Sequence, residues 1–152
     1  MEIITWVSPN SLDAFLYLDR NGNGVVDNGL ELFGNSTLLF SLDLAENGYE
    51  ALAEFDLRGN GGFEDGVIDA LDSVFTDLRV WIDKNADGVS EHHETLSLAE
   101  AGVLSIDLDY YESPRTDSYG NELRYIGKGW IEVNGEKKRM WTTDVFFNVL
   151  AD

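Results

Sequence analysis

Apolar positions along this chain change their spacing from one third to the next. Two short β-prone runs, Ile3 to Val7 and Ala14 to Leu18, flank a Ser8-Pro9-Asn10 turn and predict a hairpin. Leu30-Glu31-Leu32-Phe33 reads as one helical turn ended by Gly34. Tyr49, Leu52, Ala53 and Phe55, lying between Gly48 and Asp56, mark an amphipathic helix. A second helix is expected to start near Asp69 and carry Leu71, Val74, Phe75 and Leu78 inward. Arg79 to Ile82 is a short strand, and Leu96 to Ala101 a short helix closed by Gly102. Beyond Leu104 the period drops to two: Leu104, Ile106, Leu108 and Tyr110 alternate with Ser105, Asp107 and Asp109, as in a half-buried strand. Asn134-Gly135 joins the run Leu123 to Val133 to the one from Lys137 onward, and that dipeptide favours a type I′ hairpin turn. Asp144 to Leu150 fits a terminal helix or an edge strand equally well. Trp81 and Trp130 read as core aromatics, and Trp141 is grouped with them.

The segments between these elements carry the chemistry. Asp83 to Glu94 satisfies every ligand position of a twelve-residue EF-hand-type loop. Asp83, Asn85 and Asp87 stand at positions 1, 3 and 5, and Gly88 at position 6. The Val89 carbonyl is at 7, Glu91 at 9, and Glu94 at 12 as a bidentate closing ligand. A hard divalent cation takes six to eight oxygens, and short oxygen-bearing side chains at alternate positions of a tight turn converge on one point. The competing reading is a surface Asp-Gly turn; the number of constraints met together favours the calcium loop. Asp19, Asn21, Asn23, Gly24, Val25 and Asp27 repeat the pattern, but position 12 is Leu30, which has no side-chain oxygen. Glu31 is the substitute if Asn28-Gly29 lets the chain bulge. Fewer formal charges predict weaker binding there.

A third loop is degraded. Asp65, Gly66, Val67, Asp69 and Asp72 match positions 5, 6, 7, 9 and 12, while Gly61 and Phe63 would stand at 1 and 3. Asp56 lies where the loop should open, with Arg58-Gly59-Asn60-Gly61-Gly62 as an insertion, and Asp56, Asn60 or Glu64 could complete a cage. A flexible acidic loop that attracts cations loosely accounts for the same residues. The resulting fold class is α+β, with short helices around EF-hand-like calcium loops and an antiparallel β-rich C-terminal third. The cofactor expected is Ca²⁺, at two sites with a third at the middle loop.

Composition narrows the function. At 152 residues and 43% hydrophobic content, residues 1–152 suit one domain with a real core. A formal charge of −19 opposes compaction unless cations neutralise it. Nucleic acid is excluded as a partner, because phosphate binding requires clustered Lys and Arg, and Lys137-Lys138-Arg139 is too short a run. There is no cysteine, hence no disulfide. No apolar stretch approaches a membrane span, and Met1 to Asn10 lacks the form of a secretory signal peptide. An internal fragment of a longer exported protein is the favoured account. No feature names a protein or glycan partner, and a monomer is expected in isolation.

With these residues in place, the chain resembles the calcium-binding module of large secreted bacterial RTX-type proteins, in particular the self-processing module of iron-regulated RTX proteins and its non-cleaving relatives. The matching stretches include Trp6-Val7-Ser8-Pro9, Leu18 to Gly24, Glu31-Leu32-Phe33-Gly34-Asn35, Gly48-Tyr49 through Glu54 and Gly66-Val67-Ile68-Asp69. Leu78-Arg79-Val80-Trp81, Leu108-Asp109-Tyr110, Arg115 to Asn121 and Trp141 to Phe147 extend the match. The resemblance implies calcium-dependent folding and a secreted or cell-surface home, and it supports Glu31 as a closing ligand. The self-processing modules cleave an Asp-Pro bond at their own start. Here the only prolines, Pro9 and Pro114, each follow serine, and neither the acidic segment after that bond nor glycine-rich nonapeptide repeats are seen.

The function expected is therefore a non-catalytic calcium-binding module rather than an enzyme. The alternative is a calcium-triggered self-processing module whose scissile Asp-Pro lies upstream. A calmodulin-like sensor would need a Met-rich groove, yet the chain has only Met1 and Met140. A dockerin-like adaptor would need two near-identical tandem repeats. His92 and His93, at positions 10 and 11 of the best loop, are expected to face solvent rather than to act as catalytic groups or zinc ligands.

Overall fold

The computed structural model describes residues 3–4, 13–35, 37–118, 120–146 and 149–150. In chain order the strands are β1 (Ile3–Ile4), β2 (Phe15–Leu18), β3 (Val67–Asp69), β4 (Leu78–Trp81), β5 (Thr95–Ser97), β6 (Val103–Glu112), β7 (Glu122–Val133), β8 (Glu136–Phe146) and β9 (Val149–Leu150). Among the described residues the one α-helix is α1 (Gly48–Ala53). The strands form three antiparallel sheets, ordered β1-β9, β2-β4-β5 and β3-β6-β7-β8.

This corrects the expected fold class. The chain is mostly antiparallel sheet; the 19–31 and 83–94 loops are entered from the strands β2 and β4, and only the middle loop follows a helix, α1. The segment from Asp69 is a strand end followed by a 3-10 turn at Ser73–Thr76. Val74, Phe75 and Leu78 are buried as expected, but Leu71 is 60% exposed. Leu96, placed on a helix by its spacing, pairs with Val80 across β5 and β4, and Gly102 closes a turn rather than a helix. The reason is length. A helix of one or two turns is marginal by itself, whereas extension lets Thr95, Leu96 and Ser97 complete a ladder with β4.

The N-terminal hairpin is also replaced. β2 pairs with β4, Phe15 opposite Trp81 and Leu18 opposite Leu78, and β1 pairs with β9. The non-local pairing sets Phe15 against Trp81 in a tilted contact at 5.4 Å between ring centroids and buries Tyr17 completely. Ser8, Pro9 and Asn10 lie outside the described residues. For Asp144 to Leu150 the strand alternative holds, since β8 runs through Phe146 and β9 pairs with β1.

The core lies between the three-stranded and four-stranded sheets' apolar faces: Leu52 from α1, Ile68 from β3, Val74, Phe75, Leu78, Val80, Leu98, Val103 and Ile106. Complete burial of a side chain such as Ile68 or Leu78 is worth roughly 1.5–3 kcal/mol. The expected alternation of β6 holds at Ile106 but not at Leu104, which is 37% exposed. A register shift between Val103 and Ser105 turns Val103 inward instead. The Asn134-Gly135 turn forms as expected, with φ of +52° and +78°. Trp81 is buried, but Trp141 is 68% exposed, contrary to its grouping with the core, and Lys128 lies over its ring.

Two further features fix how α1 and the long hairpin meet. Asn47 caps α1 by accepting from Glu50 N–H, and the Asp144 carboxylate on β8 accepts from Gly48 N–H at 2.8 Å. Burial pushes the Asp144 carboxyl above its ordinary value of 3.8, with the Gly48 N–H and Arg124 opposing. On β7, a Cβ at Gly129 would lie 2.5 Å from the Ser105 carbonyl oxygen and 2.6 Å from Met140 Cε. Glycine there is a condition of strand approach.

Gly129→Ala is accordingly expected to cost about 1–3 kcal/mol by overpacking, read as a lower urea midpoint. Asp144 binds its proton more tightly folded than unfolded, so its ionisation opposes folding. That penalty is absent below pH 3.8 and complete above the raised folded value. Asp144→Asn should therefore raise the thermal midpoint at pH 7, and the gain should shrink as pH falls through the acidic range.

Candidate functional site

The three acidic loops share one backbone conformation. The fourth position is left-handed in each: Gly22 at φ +74°, Glu64 at +60° and Ala86 at +56°. So is the sixth: Gly24 at +83°, Gly66 at +82° and Gly88 at +72°. Left-handed backbone suits glycine and is strained for Glu64 and Ala86. Two such residues, two positions apart, wrap the chain around the side chain that opens the loop.

Opening carboxylates collect the N–H groups this wrapping exposes. Asp83 accepts from Asp87 N–H at 3.3 Å and Gly88 N–H at 2.9 Å. Asp19 accepts from Gly22, Asn23 and Gly24 N–H at 2.8, 3.1 and 2.6 Å. Asp56 accepts from Asp65 N–H at 3.2 Å and Gly66 N–H at 2.9 Å. The middle loop thus opens at Asp56. The insertion is looped out over a 3-10 turn at Arg58–Asn60, and Asn60 donates to the Glu54 carbonyl.

Closing carboxylates match as well. Glu94 accepts from Lys84 N–H at 3.0 Å and Glu91 N–H at 3.4 Å, and the Trp81 indole N–H points at it from 3.3 Å. Glu31 accepts from Arg20 N–H at 3.0 Å and Asp27 N–H at 2.9 Å. Asp72 accepts from Phe63 N–H at 2.9 Å and Asp69 N–H at 2.8 Å. Each takes the N–H of the ninth position and one from near the loop's start. Glu31, not Leu30, turns inward: it is 5% exposed against 65% for Leu30. Asn28 accommodates the extra residue by capping the 3-10 turn Gly29–Glu31.

Between these ends stand the shorter ligand candidates, mostly exposed. Asn21, Asn23, Asn85, Asp65 and Asp87 line the loops. Asn23, Asp65 and Asp87 accept from the N–H of Val25, Val67 and Val89, the same Asx turn in all three loops. The amides of Asn21 and Asn23 donate to Asp27, gathering three expected ligands of the 19–31 loop. In the 83–94 loop Asn85 donates to Asp87 at 3.0 Å. Asp69 accepts from Leu71 N–H.

Electrostatically, the loops concentrate the interior acids. Six described carboxylates are buried, and five of them are loop ends: Glu31, Asp56, Asp72, Asp83 and Glu94. Among the described residues no Lys or Arg pairs with Glu31, Asp56, Asp72 or Glu94. Backbone dipoles satisfy their hydrogen bonding without neutralising them, and a buried charge held that way is costly. An all-oxygen, strongly anionic donor set of this kind suits a hard divalent cation.

Two loops are tied together. Ser90 Oγ accepts from Val26 N–H at 2.6 Å and donates to the Val26 carbonyl at 3.1 Å. Thr95 Oγ1 donates to the Gly24 carbonyl at 3.2 Å. Val26 and Ser90 are both eighth positions. His92 lies over Gly24, where a Cβ would meet its ring at 3.3 Å. His93 keeps an exposed imidazole but turns toward Glu91 at 3.5 Å, and its ligand atoms with those of Glu91 and Glu94 fall within 4.8 Å of one another. Sequence spacing gave no sign of this tie, because a serine at the eighth position is unremarkable until the partner loop is beside it.

The iron-regulated protein FrpA of Neisseria meningitidis serogroup C is 42% identical over 135 residues, covering 89% of this chain. The chain spans only 11% of that relative's length. Residues 1–148 match the family described as the SPM domain, and this chain belongs to that family.

Proposed function

We propose that the protein is a non-catalytic calcium-binding module whose folding Ca²⁺ drives, carried within a larger secreted or surface-exposed bacterial protein of the RTX type. The observation that carries this reading is three loops of one backbone design in which every closing carboxylate, and the opening carboxylates Asp56 and Asp83, are buried. The ligands assigned are Asp83, Asn85, Asp87, the Val89 carbonyl, Glu91 and Glu94 in one loop. Asp19, Asn21, Asn23, the Val25 carbonyl, Asp27 and Glu31 serve the second. Asp56, Asp65, the Val67 carbonyl, Asp69 and Asp72 serve the middle loop, with Asn60 directed to the Glu54 carbonyl instead.

Bound cations would supply the positive charge that no Lys or Arg among the described residues brings to Glu31, Asp56, Asp72 and Glu94. Because the 19–31 and 83–94 loops are connections within one sheet, ordering them would complete it, so binding free energy becomes folding free energy. Calcium at 1,000 times its dissociation constant would contribute about 4 kcal/mol per site. In millimolar extracellular calcium even loops of roughly 10⁻⁴–10⁻³ M affinity fill. Among the described residues no helix is long and apolar enough to cross a membrane.

The test is calorimetric titration of chelated protein with Ca²⁺, followed in parallel by near-ultraviolet circular dichroism. Calcium should produce a large gain in tertiary signal and raise the thermal midpoint; identical spectra with calcium and with excess chelator would refute the proposal. Asp83→Ala should weaken its site by about 10–100-fold or more, and Asp19→Ala by less, since the 19–31 loop has fewer carboxylates.

A further inference from the structure

Residues 37–45 present an apolar face that the described residues leave largely exposed. Leu38 bridges Leu44, Leu39 N–H donates to the Asp43 carbonyl at 2.8 Å, and Ala45 N–H donates to the Thr37 carbonyl at 2.9 Å. Phe40, Ser41 and Leu42 form the turn, closed by Leu42 N–H to the Leu39 carbonyl at 2.9 Å. Thr37 and Ala45 are buried, yet Leu38, Phe40, Leu42 and Leu44 are 55%, 60%, 77% and 63% exposed. Alternation has put the large apolar residues outward.

Leu42 is the sharpest sign. Its φ is +73°, the left-handed position that closes a three-residue hairpin loop and ordinarily takes glycine or asparagine. A branched side chain is strained there, and being mostly in water it gains no burial in return. Backbone strain kept without a folding benefit points to a role outside the monomer.

The hairpin is held firmly. Glu54 accepts from Phe40 N–H through both oxygens at 3.0 and 2.9 Å, the Phe40 ring meets Phe55 at 5.6 Å, and Thr37 Oγ1 bonds Gly34 N–H and the Leu32 carbonyl. Preorganisation of this kind lowers the cost of docking. Charge selects the partner. Asp43, Glu46, Glu50 and Glu54 lie on or just after the hairpin, and no Lys, Arg or His occurs between residues 21 and 57. At −19 overall, a second copy and an anionic lipid surface are both repelled.

We infer that the 37–45 hairpin docks a cationic amphipathic segment of another polypeptide, its leucines entering the partner's apolar stripe while Asp43 and the α1 acids meet flanking Lys or Arg. The probe is a labelled Leu/Lys amphipathic helical peptide, titrated by anisotropy in millimolar calcium and 0.15 M salt. A peptide of equal charge with serine in place of leucine controls for simple attraction. The intact protein should bind the Leu/Lys peptide at least about tenfold more tightly than the control. Leu42→Gly should hold or raise the unfolding midpoint while losing most of that preference, and Leu38→Ser with Leu44→Ser should lose it too. Equal affinity for both peptides, or an unchanged preference in both variants, overturns the inference. So does self-association, or binding to phosphatidylcholine–phosphatidylserine vesicles, that the same substitutions abolish in place of peptide binding.

Discussion

A carboxylate taken out of water and surrounded by backbone N–H groups is the constraint on which this molecule turns. Asp83 and Glu94 are each 1% exposed, and the loop between them is shaped by the donors they gather. The left-handed residues at the fourth and sixth positions exist to aim those donors inward. Repeating the arrangement at Asp19 with Glu31 and at Asp56 with Asp72 makes three corners of the fold depend on the same balance. Dipoles satisfy the oxygens' geometry but leave the charge in place.

Strands rather than helices supply the frame. β2 leads into the 19–31 loop, which returns to bridge Tyr17 with Leu32, and β4 leads into the 83–94 loop, which returns as β5. Both loops are therefore connections within one sheet. The 3-10 turns Gly29–Glu31 and His92–Glu94 carry the closing carboxylates and stop after three residues, where a helix would have continued. The middle loop, ending at β3 and the Ser73–Thr76 turn, leads into the other sheet. Asp69, Ser105, Trp130 and Arg139 form one row across it.

Loop geometry was legible in the residues because it is local: the spacing of oxygen-bearing side chains is a statement about one turn of chain. Even the offset from Leu30 to Glu31 and the insertion after Asp56 could be read, since a side chain without oxygen cannot close such a loop. What surrounds the loops was not legible, because it depends on partners distant in sequence. The 3.6-residue spacing of Leu71, Val74, Phe75 and Leu78 holds equally for a strand end and a tight turn, and only β4's pairing with β2 and β5 decides. Leu104 went outward because a bulge changed the register beside β7. The 37–45 hairpin was hidden for a related reason, as a leucine-rich run looks like core until its exposed face is seen.

Ser90 gives one consequence of its own. Its hydroxyl accepts a hydrogen bond from the Val26 N–H and donates one to the Val26 carbonyl, so the shape of each loop is tied to that of the other. Whatever freezes one arm has already removed part of the disorder that the other would surrender. Two hydrogen bonds thus join arms that lie 64 positions apart along the chain.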